Sequence, residues 1–155
     1  MRINLSWQEF QQLAPKLAAL GEALIERTGM VMVGTIRKDG YPGISPVEVV
    51  FTEGQLCLGM MWHSKKALDL LRDPRCTVHS ATSNRDGSQG DFKLFGRAVE
   101  VTDLEFRRRY SDAVYEKIGF KPEEPEFHLF FVDVESAALV EFNDEKMTNT
   151  VWRRD

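Results

Sequence analysis

The chain reads as a mainly β domain with flanking helices, α+β in the looser sense, built as a small antiparallel barrel. Three observations point there. Short β-branched runs follow one another through tight turns, with Asp39-Gly40 and Glu53-Gly54 the strongest hairpin signals. The predicted order is helix, three strands, short helix, two strands, helix, three strands, which lacks the regular βαβ alternation of a doubly wound sheet. No GxGxxG fingerprint follows a strand. With 155 residues, 43% hydrophobic and 28% charged, the chain is expected to form one domain over 1–155 with its own core.

Residues 1–28 are expected to be an N-terminal helical segment. Ser6 and Glu9 have the spacing of a capping box. Trp7, Phe10, Leu13, Leu17, Leu20, Leu24 and Ile25 recur at helical spacing. Pro15 must kink this segment or start a second helix, and Thr28-Gly29 ends it. The barrel is expected over 30–152. Its first three strands are 30–37, 43–52 and 55–62. Pro46 in the second demands an edge, a bulge or a bend. An inserted helix at about 65–71 stops before Asp73-Pro74. Strands follow at 75–81 and 91–101, joined by a polar, glycine-bearing loop at 82–90 whose composition would permit a lid. Gly96 marks a bulge or a point of close approach. Asp103 caps a second inserted helix at about 103–117. Three last strands are predicted at 127–134, 137–142 and 147–152.

Composition excludes several classes. Lys plus Arg is 20 and Asp plus Glu is 24, a net charge of -4, which opposes general nucleic-acid binding. Arg107, Arg108 and Arg109 fan over a wide arc at helical spacing and are read as a solvated helix face. Cys57 and Cys76 sit in apolar runs, as reduced core thiols do. No CxxC occurs, and His63, His79 and His128 have no metal-ligand spacing, so no metal site is predicted. The apolar runs are too short to span a bilayer, and the first residues lack the apolar core of a signal peptide. The expected compartment is therefore the cytoplasm, with neither membrane nor nucleic acid as partner.

The most informative stretch is Trp62-His63-Ser64-Lys65-Lys66-Ala67. Ser64 is a natural N-cap, leaving free amides at the positive end of a helix. Two lysines in that first turn oppose the dipole, at about 0.3–1 kcal/mol each when exposed. A bound anion reverses the sign. A serine hydroxyl, backbone amides and two ammonium groups make a phosphate cradle. The alternative is a solvated lysine pair, with Lys65 bridging to Asp69. On the neighbouring strands, backbone amides beside Pro46 suit the polar edge of a planar ring, while Met60, Met61 and Trp62 suit its faces. The alternative is two plain core strands. Glu48 is read as turned to solvent or paired.

Taken in series, the motifs resemble a known family. They are Gly34-Thr35-Ile36-Arg37-Lys38-Asp39-Gly40-Tyr41-Pro42-Gly43-Ile44-Ser45-Pro46-Val47, then Gly54-Gln55-Leu56, then Ser64-Lys65-Lys66-Ala67-Leu68-Asp69-Leu70-Leu71-Arg72-Asp73-Pro74-Arg75. Gly96-Arg97-Ala98 and Trp152-Arg153 continue the likeness. It is to the FMN-binding split β-barrel of the pyridoxamine 5′-phosphate oxidase-like family, which includes the flavin/deazaflavin oxidoreductases. The resemblance implies a six-stranded split barrel and a homodimer with cofactor sites at the interface. Ser64, Lys65 and Lys66 would meet the cofactor phosphate. Ser45, Pro46 and Val47, with Met60, Met61, Trp62 and the adjoining His63, would line the ribityl chain and ring. Trp152 and Arg153 would approach from the barrel end or the other subunit. The vitamer oxidases themselves resemble this chain only in the barrel half, so their own activity is not implied.

The leading expectation is an FMN-dependent oxidoreductase acting on a small-molecule substrate, with no catalytic side chain assigned. One alternative is a reductase using the deazaflavin coenzyme F-420, for which Arg37, Lys38, Arg72 and Arg75 would supply added positive charge. The other is a non-catalytic flavin- or haem-binding protein, with His63 and His79 as conceivable axial ligands.

Overall fold

Residues 2–155 are described by a computed structural model; Met1, the start of the predicted helical segment, lies outside the described residues. In chain order the elements are α1 (Trp7–Leu13), α2 (Pro15–Thr28), β1 (Met30–Ile36), β2 (Pro42–Thr52), β3 (Gln55–Met61), α3 (Lys65–Arg72), β4 (Arg75–Ser80), β5 (Asp91–Glu100), α4 (Leu104–Ile118), β6 (Phe127–Asn143) and β7 (Lys146–Arg153). The sheet order is β3-β2-β1-β4-β5-β6-β7. A further antiparallel pairing of β3 with β6 closes the first six strands into a barrel, leaving β7 as an added hairpin strand on β6. The predicted mainly β barrel with flanking helices is what forms.

Local chemistry explains the N-terminal segment. Ser6 Oγ accepts from the Glu9 amide at 3.1 Å, and the Glu9 carboxylate accepts from the Ser6 amide at 2.7 Å. These bonds hold the Glu9 carboxyl below its ordinary value. Helix begins only at Trp7, because residues 2–6 are extended over the barrel, where the Leu5 amide donates to Asp133 at 2.7 Å. Pro15 starts a new helix rather than kinking one: it occupies the first position of α2, where its missing N–H costs nothing.

Strand alternation then builds the interior. Val31 and Val33, Val47 and Val49, Leu56 and Leu58, Phe92 and Leu94, and Phe130 and Val132 all point inward. Trp7, Phe10, Leu17 and Ile25 from α1 and α2 join the same core. On the outer surface of β2, β3 and β6, α4 lays Tyr110 and Val114 against Val50, Cys57, Phe127 and Leu129. Cys57 and Cys76 are buried free thiols, and desolvation pushes both up to about 12.

Two expectations need correction, and a third is met. The strands predicted at 127–134 and 137–142 are one strand, β6, so there are seven strands among the described residues rather than eight. The interruption at Glu135 is a bulge: Phe95 faces Ser136 while the next residue, Gly96, faces Val134. Gly96 is needed there, since a Cβ would stand 2.2 Å from the Asp133 carbonyl oxygen. Second, Arg107 is not solvated. Packing of α4 on the barrel buries it, and it donates to the Val101 and Phe127 carbonyls at 3.1 and 2.8 Å and to Glu124. The third is met: Pro46 sits at an edge, in a stretch of β2 with one free flank. Residues 42–48 pair with β1, whereas β3 pairs only with residues 49–52. No N–H is required on that flank.

Among the described residues no helix is long and apolar enough to cross a membrane.

Candidate functional site

The free flank of β2 borders a cleft of about 810 Å³, walled by the β1–β2 hairpin on one side and α3 on the other. The hairpin is set by its turn. Asp39 accepts from the Tyr41 amide at 3.1 Å and from the Arg37 guanidinium at 2.9 Å. The helix is set by a buried contact. Asp69, on the inner face of α3, accepts from Thr35 Oγ1 at 2.9 Å and from Arg72 at 3.1 Å. That pair ties α3 to β1 and turns the helix N-terminus toward the cleft.

Five cationic side chains line it, Arg37, Lys38, Lys65, Lys66 and Arg72, against the carboxylates of Asp39 and Asp69. Both carboxylates are already engaged by arginines. The expected alternative, a Lys65–Asp69 bridge, does not form; Thr35 and Arg72 occupy Asp69 instead. Ser64 holds the N-cap position of α3, but its side chain makes no capping hydrogen bond, contrary to expectation. Its Oγ is buried and has no partner among the described residues. A phosphate-sized anion would satisfy that hydroxyl, the unpaired first-turn amides and the two lysines together.

The structure sorts the other predicted residues into separate places. Ser45 joins Lys65 and Lys66 in the cleft. Pro46 is exposed on the outer face of β2 opposite Met32, and the Val47 side chain points into the core. Met60 and Met61 line a second cleft, about 460 Å³, between β3 and α4. Trp62 stacks on His128 with ring centres 4.5 Å apart and planes 16° apart. His63 follows with φ 59°, and its amide donates to His128 Nε2 at 3.2 Å. Trp152 packs against Phe10 at 5.0 Å, under α1, and Arg153 lies opposite Ser136. One protomer therefore gathers Ser45, Lys65 and Lys66, with Ser64 beside them, and separates the rest.

Of the added cations, Arg37, Lys38 and Arg72 line the cleft, but Arg75 does not. It turns to Asp73, with bonds of 3.1 and 2.7 Å that hold the Asp73 carboxyl down at about 2. His79 is half-buried; its Nδ1 lies 2.6 Å from the Ser80 carbonyl oxygen and its Nε2 3.6 Å from Asp91. No cluster of potential metal ligands occurs among the described residues. Loop 82–90 lines neither of the two clefts; Gly87 lies beside Phe142. Sequence reading missed Thr35 and Asp69 as cleft residues, and His128 as the partner of Trp62. The available signal was strand periodicity, since Thr35 follows Val31 and Val33 inward and His128 precedes Phe130 and Val132. Burial, then the neighbouring His63, lowers the His128 pKa.

Comparison with known proteins agrees with this architecture. The family model described as pyridoxamine 5′-phosphate oxidase matches residues 19–141. No curated protein sequence matches the chain. Among solved structures, the chain is similar to a protein related to general stress protein 26 of B. subtilis, of the pyridoxinephosphate oxidase family, from Clostridium acetobutylicum. The TM-score is 0.68 at 17% identity, covering 89% of this chain and 94% of that one. It is similar to a heme binding protein from Mycobacterium smegmatis, with TM-score 0.63, 19% identity and coverage of 85% and 57%. It is also similar to HutZ, the heme storage protein from Vibrio cholerae, with TM-score 0.63, 16% identity and coverage of 79% and 90%. At these identities the likeness is one of fold. The barrel, its order of motifs and the family model agree, and the chain belongs to the pyridoxamine 5′-phosphate oxidase family.

Proposed function

We propose that the chain is a cytoplasmic, FMN-binding oxidoreductase acting on a small molecule. The carrying observation is the cationic cleft at the N-terminus of α3, with Lys65 and Lys66 beside the buried, unpartnered Ser64 Oγ. Its volume of about 810 Å³ falls in the range of roughly 300–1,000 Å³ usual for ligand pockets. Lys65, Lys66, Ser64 and the first-turn amides would hold the phosphate. Ser45 and the backbone of 45–47 would meet the polar edge of the ring. Bound flavin would supply the hydride or electron chemistry. The protein's own work is binding and orientation, and no side-chain acid or base is assigned to it.

A homodimer is part of this reading. The cleft of one protomer is rich in charge and poor in aromatic cover. Exposed apolar residues on the outer strand face, Ile44, Phe95 and Val151, suit burial against a second copy that would complete the site. Titration of cofactor-stripped protein with FMN, followed by fluorescence quenching with the deazaflavin coenzyme as competitor, tests the reading. Saturation at one FMN per chain without displacement is expected. Displacement would make the protein a deazaflavin-dependent reductase, and no binding of either would overturn the flavin reading.

A second reading is non-catalytic haem binding. Two of the similar folds are described as heme binding and heme storage proteins, and His63 is exposed in the turn after β3. A haem absorption band on reconstitution, lost in His63→Ala, would favour it.

A further inference from the structure

The second cleft shares no lining residue with the cationic one, and its chemistry is opposite. It opens between the end of β3, α4 and the segment 120–126. Its walls are mainly apolar, with Met61, Phe120 and Phe127 among them. Three carboxylates also line it, Glu48, Glu123 and Glu126, and none of them forms an ion pair among the described residues. The one cation on its wall, Lys121, is held by Asp112 at 2.8 Å.

Tyr110 supplies the second feature. It is only 5% exposed, and its ring stacks on Phe127 with centres 6.0 Å apart. Its hydroxyl has no hydrogen-bond partner among the described residues, although the side chain lines the cleft. The phenol body is buried while the hydroxyl opens on the cleft, so its hydrogen-bonding capacity is left to whatever occupies the cleft. Gly59 makes the position possible: a Cβ there would stand 2.0 Å from the Tyr110 oxygen. Burial, then the nearby Cys57 thiol and Glu48 carboxylate, raise the Tyr110 pKa, so the hydroxyl stays neutral and able to accept as well as donate.

We propose that this cleft binds a small organic cation, an amine carried on an apolar or aromatic body. The ammonium donates to Tyr110 Oη and to Glu48, while the body lies against Met61 and Phe127. Glu123 and Glu126 add negative potential at the mouth, which selects cations over anions. The site does not depend on the flavin reading.

The test uses the full chain, isotope-labelled for amide NMR, titrated with phenethylamine, the neutral phenylethanol and the anionic phenylacetate. Saturable shifts are expected at Gly59, Val114 and Phe127, with phenethylamine bound at least tenfold more tightly than phenylacetate. Glu48→Gln is expected to weaken the amine at least fivefold and Tyr110→Phe at least threefold, each with an otherwise wild-type amide spectrum. Binding of phenylacetate as tight as that of the amine overturns the proposal. So does unchanged amine affinity in both variants, or shifts confined to the cationic cleft, or no saturable binding of the amine.

Discussion

Thr35 Oγ1 donates to the Asp69 carboxylate at 2.9 Å, and both residues are buried. This bond joins β1 to α3, residues 34 apart in sequence. It sets where the first turn of α3 stands and hence where Lys65 and Lys66 can reach. Thr35→Val keeps the shape and removes the donor. It is expected to cost about 1–3 kcal/mol, since a buried acceptor loses a partner. A lowered urea midpoint would show it, together with weaker FMN binding although neither lysine is touched. An unchanged midpoint would contradict the role given to this bond.

The double variant Lys65→Ala, Lys66→Ala is expected to weaken FMN at least tenfold, about 1.4 kcal/mol. The salt dependence of binding should flatten as well, because the lost contacts are ionic. Equal affinity in the variant and the parent would remove the phosphate assignment.

Arg107 is a structural cation. It bonds two backbone carbonyls and Glu124, and its guanidinium lies 4.1 Å above the Phe127 ring. Arg107→Met leaves those acceptors unpaired and is expected to destabilise by about 3 kcal/mol. For a chain of this size that corresponds to a melting temperature lower by roughly 6–12 °C. A loss below about 1 kcal/mol would return Arg107 to the solvated face that its sequence suggested.

His128 makes stability fall on the acid side. Its folded pKa is lowered by burial and by His63, with Glu100 opposing and Arg107 reinforcing the shift. Above the ordinary histidine value of about 6.5, folded and unfolded chains are both neutral at this site. As pH falls below that value the unfolded chain takes up the proton first, so stability drops until the folded pKa is passed. NMR titration is expected to give His128 a midpoint below 6.5. Stability measured by urea should fall less steeply below that pH in His128→Asn than in the parent.

Gly96→Ala tests the bulge. The added methyl meets the Asp133 carbonyl oxygen at 2.2 Å, and backbone must move to admit it. A cost of about 1–3 kcal/mol or more is expected, read as a lower melting temperature. A neutral substitution would mean that the bulge relaxes freely.

Much of the cationic cleft was legible because its signals are local. Lysines in the first turn of a helix are misplaced whatever the fold, and they do face the cleft with Ser45. The Lys65–Asp69 alternative looked equal in sequence. It was decided by Thr35, which no local pattern connects to Asp69. Met60 and Met61 illustrate the reverse. Adjacent residues on a strand point to opposite faces, so Met60 packs inside the barrel while Met61 faces a cleft made by α4, whose position is not written near them.

The sequence by itself determined what a few neighbouring residues decide: the Ser6–Glu9 capping box, a break in regular helix at Pro15, the hairpin turns at Asp39-Gly40 and Glu53-Gly54, and the alternation of each strand. Backbone sterics and short-range hydrogen bonds act within one turn, so the signal sits where the structure does. Only the tertiary structure decided the closure of β3 on β6, the fusion of two predicted strands through the Glu135 bulge, the burial of Arg107 and the stacking of Trp62 on His128. Each joins residues that the chain alone leaves apart. They meet because the barrel buries its apolar faces only when it closes, and closure fixes which distant side chains share a site.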